Sequence, residues 1–199
     1  MTEIYLMRHG ETDWNREERL QGQVDRPLNE LGIAQAEAAG KRFRAAGLCF
    51  DQVWTSPLSR AIQTAILASG FDRSDLQIDP DLMEMNFGPY EGVSFSDLTP
   101  EIFTFFRDPM HSPVPIGMES PSSLMARTGR FIGRLLPQAK GRVLVVAHGV
   151  AIRAILGHLY HNDSAVWSMP IENCVLYRSV LADGTLTPPE KLELREVNV

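Results

Sequence analysis

Two apolar segments of this chain end in the same pattern. Ile4-Tyr5-Leu6-Met7 runs into Arg8-His9-Gly10, and Val143-Leu144-Val145-Val146-Ala147 runs into His148-Gly149. Each run is rich in β-formers and too short for a buried helix, so each reads as a strand. In an open α/β sheet, chemistry gathers in the crevice at the carboxyl ends of the strands. If the two strands are parallel neighbours, they deliver two histidines to one crevice. The glycine after each histidine would let the backbone turn sharply and let a ligand come close.

A third segment follows the same plan. Gln52-Val53-Trp54-Thr55 reads as a short strand, and Ser56-Pro57 is expected to open a helix with Ser56 as its cap and Pro57 in its first position. Arg60 then falls in the first turn and points back to the same sheet edge. With Arg8, the crevice would hold two imidazoles and two guanidiniums. Guanidinium forks match phosphate oxygens, and a neutral imidazole can attack phosphorus and carry the group covalently.

The blocks around these residues carry a resemblance. Leu6-Met7-Arg8-His9-Gly10-Glu11-Thr12 with Asn15 is similar to the signature of the histidine phosphatase superfamily, in its phosphoglycerate-mutase-like branch. Gln21-Gly22, Asp25, Pro27-Leu28, Gly32 and Gln35-Ala36 resemble the stretch that follows it. Thr55-Ser56-Pro57-Leu58-Ser59-Arg60-Ala61 with Gln63-Thr64-Ala65 resembles a second block. Leu82-Met83-Glu84-Met85-Asn86-Phe87-Gly88 with Glu91-Gly92 resembles a third, and Ala147-His148-Gly149 the last. Ordered blocks are far more specific than a lone motif.

The resemblance implies a three-layer α/β/α sandwich with a mostly parallel central sheet, as in phosphoglycerate mutase. It implies a metal-independent phosphomonoesterase for a small phosphorylated metabolite, with no cofactor and no metal. His9 would be the nucleophile, kept neutral by the repulsion of Arg8 and Arg60. Arg8, Asn15, Arg60 and His148 would hold the phosphate, with His148 protonated when phosphate is bound. Glu84 would give a proton to the leaving alcohol and take one from the attacking water. Gln21 and Gly22 would join Glu84 on the substrate. A phosphoglycerate mutase-type phosphotransferase is the alternative, and a non-catalytic phosphate-binding module a more distant one. The chain is short where mutases of the family carry closing segments, which favours the phosphatase. Dimers are common in the family, so a homodimer is left open.

Composition fits a single domain spanning residues 1–199. An apolar fraction of 44% and a charged fraction of 22% are those of a soluble globular protein. No apolar run approaches a membrane span, and the N-terminus lacks a signal-peptide pattern. Cys49 and Cys174 form no pairing motif and read as reduced thiols of a cytoplasmic protein. A net charge of −6 argues against nucleic acid, but local arginines can still attract a small anion.

Strand and helix alternate along the chain. Residues 10–28 read as a long loop. Asn29 caps a helix to about Ala46, with Leu31, Ala34, Ala38 and Phe43 as its apolar face and Gly47 as its stop. A short strand is expected at 76–79. Residues 80–118, rich in proline, read as an excursion covering the crevice. In it Met118 would reshape the rim, Phe103, Phe105 and Phe106 would form a satellite core, and His111 would be exposed. Ser120 caps the next helix. Two late strands are expected at 175–181 and 192–197, joined by a turn at Ala182-Asp183-Gly184. Arg153 reads as structural or solvated, and His158 with His161 as a surface pair.

Overall fold

The computed structural model describes residues 2–159, 164–182 and 185–194. Its centre is a seven-stranded sheet. The strands are β1 (Thr2–Arg8), β2 (Gln52–Thr55), β3 (Gln77–Ile78), β4 (Arg142–Ala147), β5 (Leu176–Ala182), β6 (Thr185–Leu186) and β7 (Glu190–Leu192). The order is β3-β2-β4-β1-β5-β6, with β7 also paired to β5. The first four are parallel, and β5 turns the sheet antiparallel against β1. In the β1–β4 register Arg8 stands beside Ala147, so His9 and His148 leave neighbouring strand ends together.

Residue alternation sorts the core into two faces. Ile4, Leu6, Val143, Val145 and Ala147 pack on one side, against α5 (Pro121–Leu135) and α6 (Gly149–Leu159). Tyr5, Met7, Val53, Leu144 and Val146 pack on the other, against α2 (Glu30–Ala45) and α3 (Ser59–Ser69). This is the three-layer α/β/α arrangement. Strands covered on both faces read as unbroken apolar runs, and Val143 to Ala147 are 0% exposed. Truncating one, as in Leu144→Ala, should cost about 2–5 kcal/mol.

Several local expectations change. Asn29 caps α2 through a hydrogen bond from the Gly32 amide. The buried face of α2, however, is Gly32, Ala36, Ala39, Gly40 and Phe43, whereas Leu31 is 52% exposed and Ala34 and Ala38 face solvent. The helix is turned because Gly32 lies against Gly10 and Glu11 so closely that a Cβ on either glycine would overlap the other segment's backbone. Gly10 is therefore required by helix packing, not by ligand approach. Ser56 caps no helix. The cap residue of α3 is Leu58, without a side-chain bond, and Asp25 Oδ1 accepts from the Ser59 amide at 2.8 Å and its hydroxyl at 2.7 Å. The 10–28 loop contains a short helix, α1 (Asp13–Arg16), closed by a reciprocal cap between Thr12 and Asn15.

Residues 80–118 hold three 3-10 turns and helix α4 (Pro100–Arg107). Phe105 is buried in a satellite core with Leu20, Met85, Phe87 and Met118. Phe106 packs beside it, whereas Phe103 is 48% exposed and leaves the expected trio. Met118 belongs to that core and does not form the rim. Late in the chain the strands are β5, β6 and β7. The second expected strand is thus placed earlier, at 190–192, and its remainder beyond 194 lies outside the described residues, as do Asp183 and Gly184 of the expected turn.

Candidate active site

The carboxyl ends of β1, β2 and β4 meet at His9, Ser56 and His148. The two imidazoles stand 5.1 Å apart, centroid to centroid. His9 Nδ1 lies 2.7 Å from the Gly10 carbonyl, which accepts only from an N–H, so the proton is assigned to Nδ1. Nε2 then keeps its lone pair, and Arg60 Nε donates to it at 3.2 Å. Arg60 is fully buried, and its Nη2 and Nη1 donate to the carbonyls of Gly22 (2.7 Å) and Val24 (3.1 Å). Ser56, freed from capping, meets His148 Nε2 through its hydroxyl at 2.8 Å. His148 itself precedes α6, and its carbonyl accepts from the Ile152 amide.

Burial is the first cause that pushes His9 well below the usual histidine range, followed by the positive charges of Arg60 and Arg8. His148 is pushed down for the same leading reason. The sequence expectation named the arginines alone; desolvation outranks them. Burial also brings the Arg60 guanidinium down to about 10.

Among the described residues, five buried side-chain polar atoms lack a hydrogen-bond partner. Three belong to this site: Arg8 Nε, Gln21 Nε2 and His148 Nδ1. Buried polar groups are seldom left unpaired, and Arg8 Nε and Gln21 Nε2 are donors that an anion can satisfy. Asn15 joins them. Its Oδ1 accepts from Thr12, which leaves its amide N–H groups for the cavity. Arg8 Nη1 is anchored on the Ile171 carbonyl at 2.9 Å.

Above this floor opens a cavity of about 600 Å³. Arg8, Asn15, Gln21, Glu84 and Gly149 are among the residues that line it, while His9, Arg60 and His148 are buried behind the lining. The Glu84 carboxylate accepts from the amides of Val150 (3.1 Å) and Ala151 (2.9 Å) in the first turn of α6, and from Met85 (2.9 Å). A helix N-terminus offers unpaired N–H groups to such an acceptor. Glu84 Oε2 and the Arg8 guanidinium both come close to Gly149, 3.8–3.9 Å from where a Cβ would stand, which is ordinary contact distance. Buried Arg127 fixes the acid segment from below, donating to the carbonyls of Asp81, Met83 and Glu84 and pairing with Glu119.

Gly22 does not line the cavity; its carbonyl holds Arg60 instead. Arg153, read from sequence as structural or solvated, lines the cavity with its Nε on the Met169 carbonyl. Its position one turn after His148 on an inward-facing helix was the available signal. Arg127 and residues 170–173 were also missed, since their partners are distant in sequence. His111 pairs with Asp108 on the surface, and His158 Nε2 lies within hydrogen-bond range of Thr128 Oγ1 and the Met125 carbonyl; His161 lies outside the described residues. Cys49 and Cys174 are both free thiols. Among the described residues no helix is long and apolar enough to cross a membrane.

A sequence profile of the histidine phosphatase superfamily (branch 1) matches residues 4–188. The chain belongs to the histidine phosphatase superfamily. This histidine phosphatase is 30% identical over 199 residues to the "Uncharacterized phosphatase PhoE" of Bacillus subtilis (strain 168), covering 100% of this chain and 95% of that one. It is 34% identical over 184 residues to the "Probable phosphoglycerate mutase GpmB" of Yersinia pestis (strain Pestoides F), covering 89% and 84%. The crystal structure of the alpha-ribazole phosphatase from Shigella flexneri superposes with a TM-score of 0.83 at 27% identity, covering 99% and 98% of the two chains. The protein is thus a phosphatase by family and fold.

Proposed function

We propose that this histidine phosphatase hydrolyses a small phosphomonoester through a phosphohistidine on His9, with Glu84 as general acid and base. The observation that carries the reading is the Nδ1–H tautomer of His9, fixed by the Gly10 carbonyl, with a lone pair on Nε2 facing a buried guanidinium. A histidine in that state attacks without losing a proton first.

Phosphate enters the floor, where Arg8, Asn15, Arg60 and His148 supply donors to its oxygens. His9 Nε2 attacks phosphorus as the P–O bond to the leaving group breaks. Glu84 protonates the departing oxygen. A water then takes the vacated side, Glu84 accepts its proton, and the N–P bond breaks to release inorganic phosphate. Guanidiniums, and His148 in the protonated form it takes once the phosphate dianion is bound, neutralise the charge of the transferring group, the task that a metal ion performs in other phosphoryl-transfer enzymes. No metal is invoked.

A relative named as a phosphoglycerate mutase keeps one alternative in view, in which a second bound substrate replaces water as acceptor. Phosphate release from a panel of phosphorylated metabolites in EDTA, with wild type beside His9→Ala, tests the proposal. Release by wild type alone supports it. Interconversion of 2- and 3-phosphoglycerate without release favours the mutase, and no turnover of any kind leaves a phosphate-binding module.

A further inference from the structure

Arg60 is held by a loop, and something must hold the loop. Residues 18–20 pair through their backbone with residues 92–95: the Leu20 amide donates to Val93, the Gly92 amide to Leu20 and the Phe95 amide to Glu18. That pairing ends before Gln23, and a side chain takes over. Glu91 Oε1 accepts from the Gln23 amide at 2.9 Å and from the Phe87 amide at 3.1 Å, and Glu91 Oε2 accepts from the Val24 amide at 2.6 Å. The fit is so close that a Cβ on Gly22 would overlap both Oε1 and the Met85 carbonyl oxygen, so the position takes a glycine.

The Gln23 N–H and the Gly22 C=O belong to one trans peptide unit and point to opposite sides of it. On one side stands Glu91; on the other, Arg60 Nη2 at 2.7 Å from the carbonyl. We infer that Glu91 is a positioning residue for Arg60: it orients and polarises the Gly22–Gln23 peptide, which in turn fixes the guanidinium against His9. Hydrogen bonds in such a chain strengthen one another. Val24 adds a second link through two successive peptide units, its N–H on Glu91 and its C=O on Arg60 Nη1. The negative charge of Glu91 also supports the cationic form of Arg60.

This inference rests on the proposed role of Arg60 as a phosphate clamp. The test is a double-mutant cycle on Glu91→Gln and Arg60→Lys, read as inhibition by orthovanadate and as kcat/KM for p-nitrophenyl phosphate. Glutamine cannot accept from all three amides. Glu91→Gln should weaken vanadate and lower kcat/KM about tenfold, the scale of one charge-assisted hydrogen bond. In the Arg60→Lys background the same change should cost less than about threefold, because lysine cannot span both carbonyls. Equal losses in both backgrounds would overturn the inference, and so would an unchanged vanadate constant in Glu91→Gln. If Glu91→Gln fails to fold, Glu91→Asp, which keeps the charge but draws it back from the Gln23 and Val24 amides, takes its place, and its vanadate constant must shift in the same direction. His9→Ala is measured beside them. Turnover by that variant would defeat the phosphohistidine reading while leaving the Glu91–Arg60 coupling to be judged on vanadate binding.

Discussion

The floor and the outer wall of the active-site cavity are built by opposite means. On the floor, His9 is 3% exposed and Arg60 and His148 are 0% exposed. They stand at strand ends and in the first turn of a helix, fixed by parallel register and by buried hydrogen bonds. The wall is drawn from several elements, with Phe87 and Phe95 at 3-10 turns, Phe106 on α4, Arg153 on α6, and Pro170 and Glu172 in loop. Phe95 is 43% exposed. A rigid floor suits a group common to every substrate. A wall assembled from turns, a short helix and loop suits the part that differs between substrates. The comparison teaches that chemistry and selectivity are separable here, and variants can test the separation.

The largest effect should come from the floor. His9→Ala removes the phosphoryl carrier and should lower kcat by at least about 10³-fold for every substrate alike, with the circular dichroism spectrum retained. A loss confined to some substrates would place the nucleophile elsewhere. Trapping with labelled substrate should give wild type an acid-labile, base-stable phosphoenzyme, and the variant none.

Glu84 stands where floor and wall meet, so its loss should depend on the leaving group. Glu84→Gln should slow alkyl phosphates by about 10²–10⁴-fold. p-Nitrophenyl phosphate, whose leaving group needs little protonation, should suffer far less. Equal losses on both would take the acid role away from Glu84.

The floor also has a cost in acid. Burial keeps His9 and His148 neutral in the folded chain. The unfolded chain binds protons at both near pH 6.5, so it holds more protons than the folded chain as the pH falls below that value. Stability is therefore full above about pH 6.5 and falls below it, by up to about 1.4 kcal/mol per pH unit for each histidine. Urea midpoints at pH 5.5 and 7.5 should differ in wild type and differ by less in His9→Asn. A midpoint that does not move in wild type would mean that the imidazoles carry charge when folded.

Legibility in the sequence follows the same division. Strand, helix and floor were readable because a buried strand is an apolar run and the residue after it points into the crevice. His9 and His148 fall at such places, and Arg60 falls in the first turn of the helix that follows β2. The errors have a common cause, since each was decided by a partner far along the chain. Ser56 resembles a cap by local rules but is claimed by His148 across 92 residues, and Asp25 caps α3 from 34 residues away. The buried side of α2 was misjudged because its contact with Gly10 and Glu11 needs glycine, which carries no apolar signal. Gly22 gives its carbonyl to Arg60 across 38 residues and lies against the Glu91 carboxylate, contacts with no local signal. The wall was the least legible part, because turns and short 3-10 segments have no periodicity from which a facing can be read.

The smallest effect should come from that wall, and it decides whether the two regions are independent. Phe106 lines the cavity and packs edge-on against Phe87 at 5.6 Å and against Phe105 at 5.6 Å. Because Phe106 is only partly buried, Phe106→Ala should cost less stability than a full core deletion, about 1–2 kcal/mol. Its kinetic effect should fall on KM for phosphomonoesters with apolar leaving groups, which should rise several-fold through lost contact area of about 25 cal/mol per Å². The vanadate constant should stay within about twofold, since the ring contacts of Phe106 are to Phe87 and Phe105 and not to His9 or His148. A vanadate constant that rose together with KM would join wall to floor through the satellite core, and selectivity could then no longer be altered without touching the chemistry.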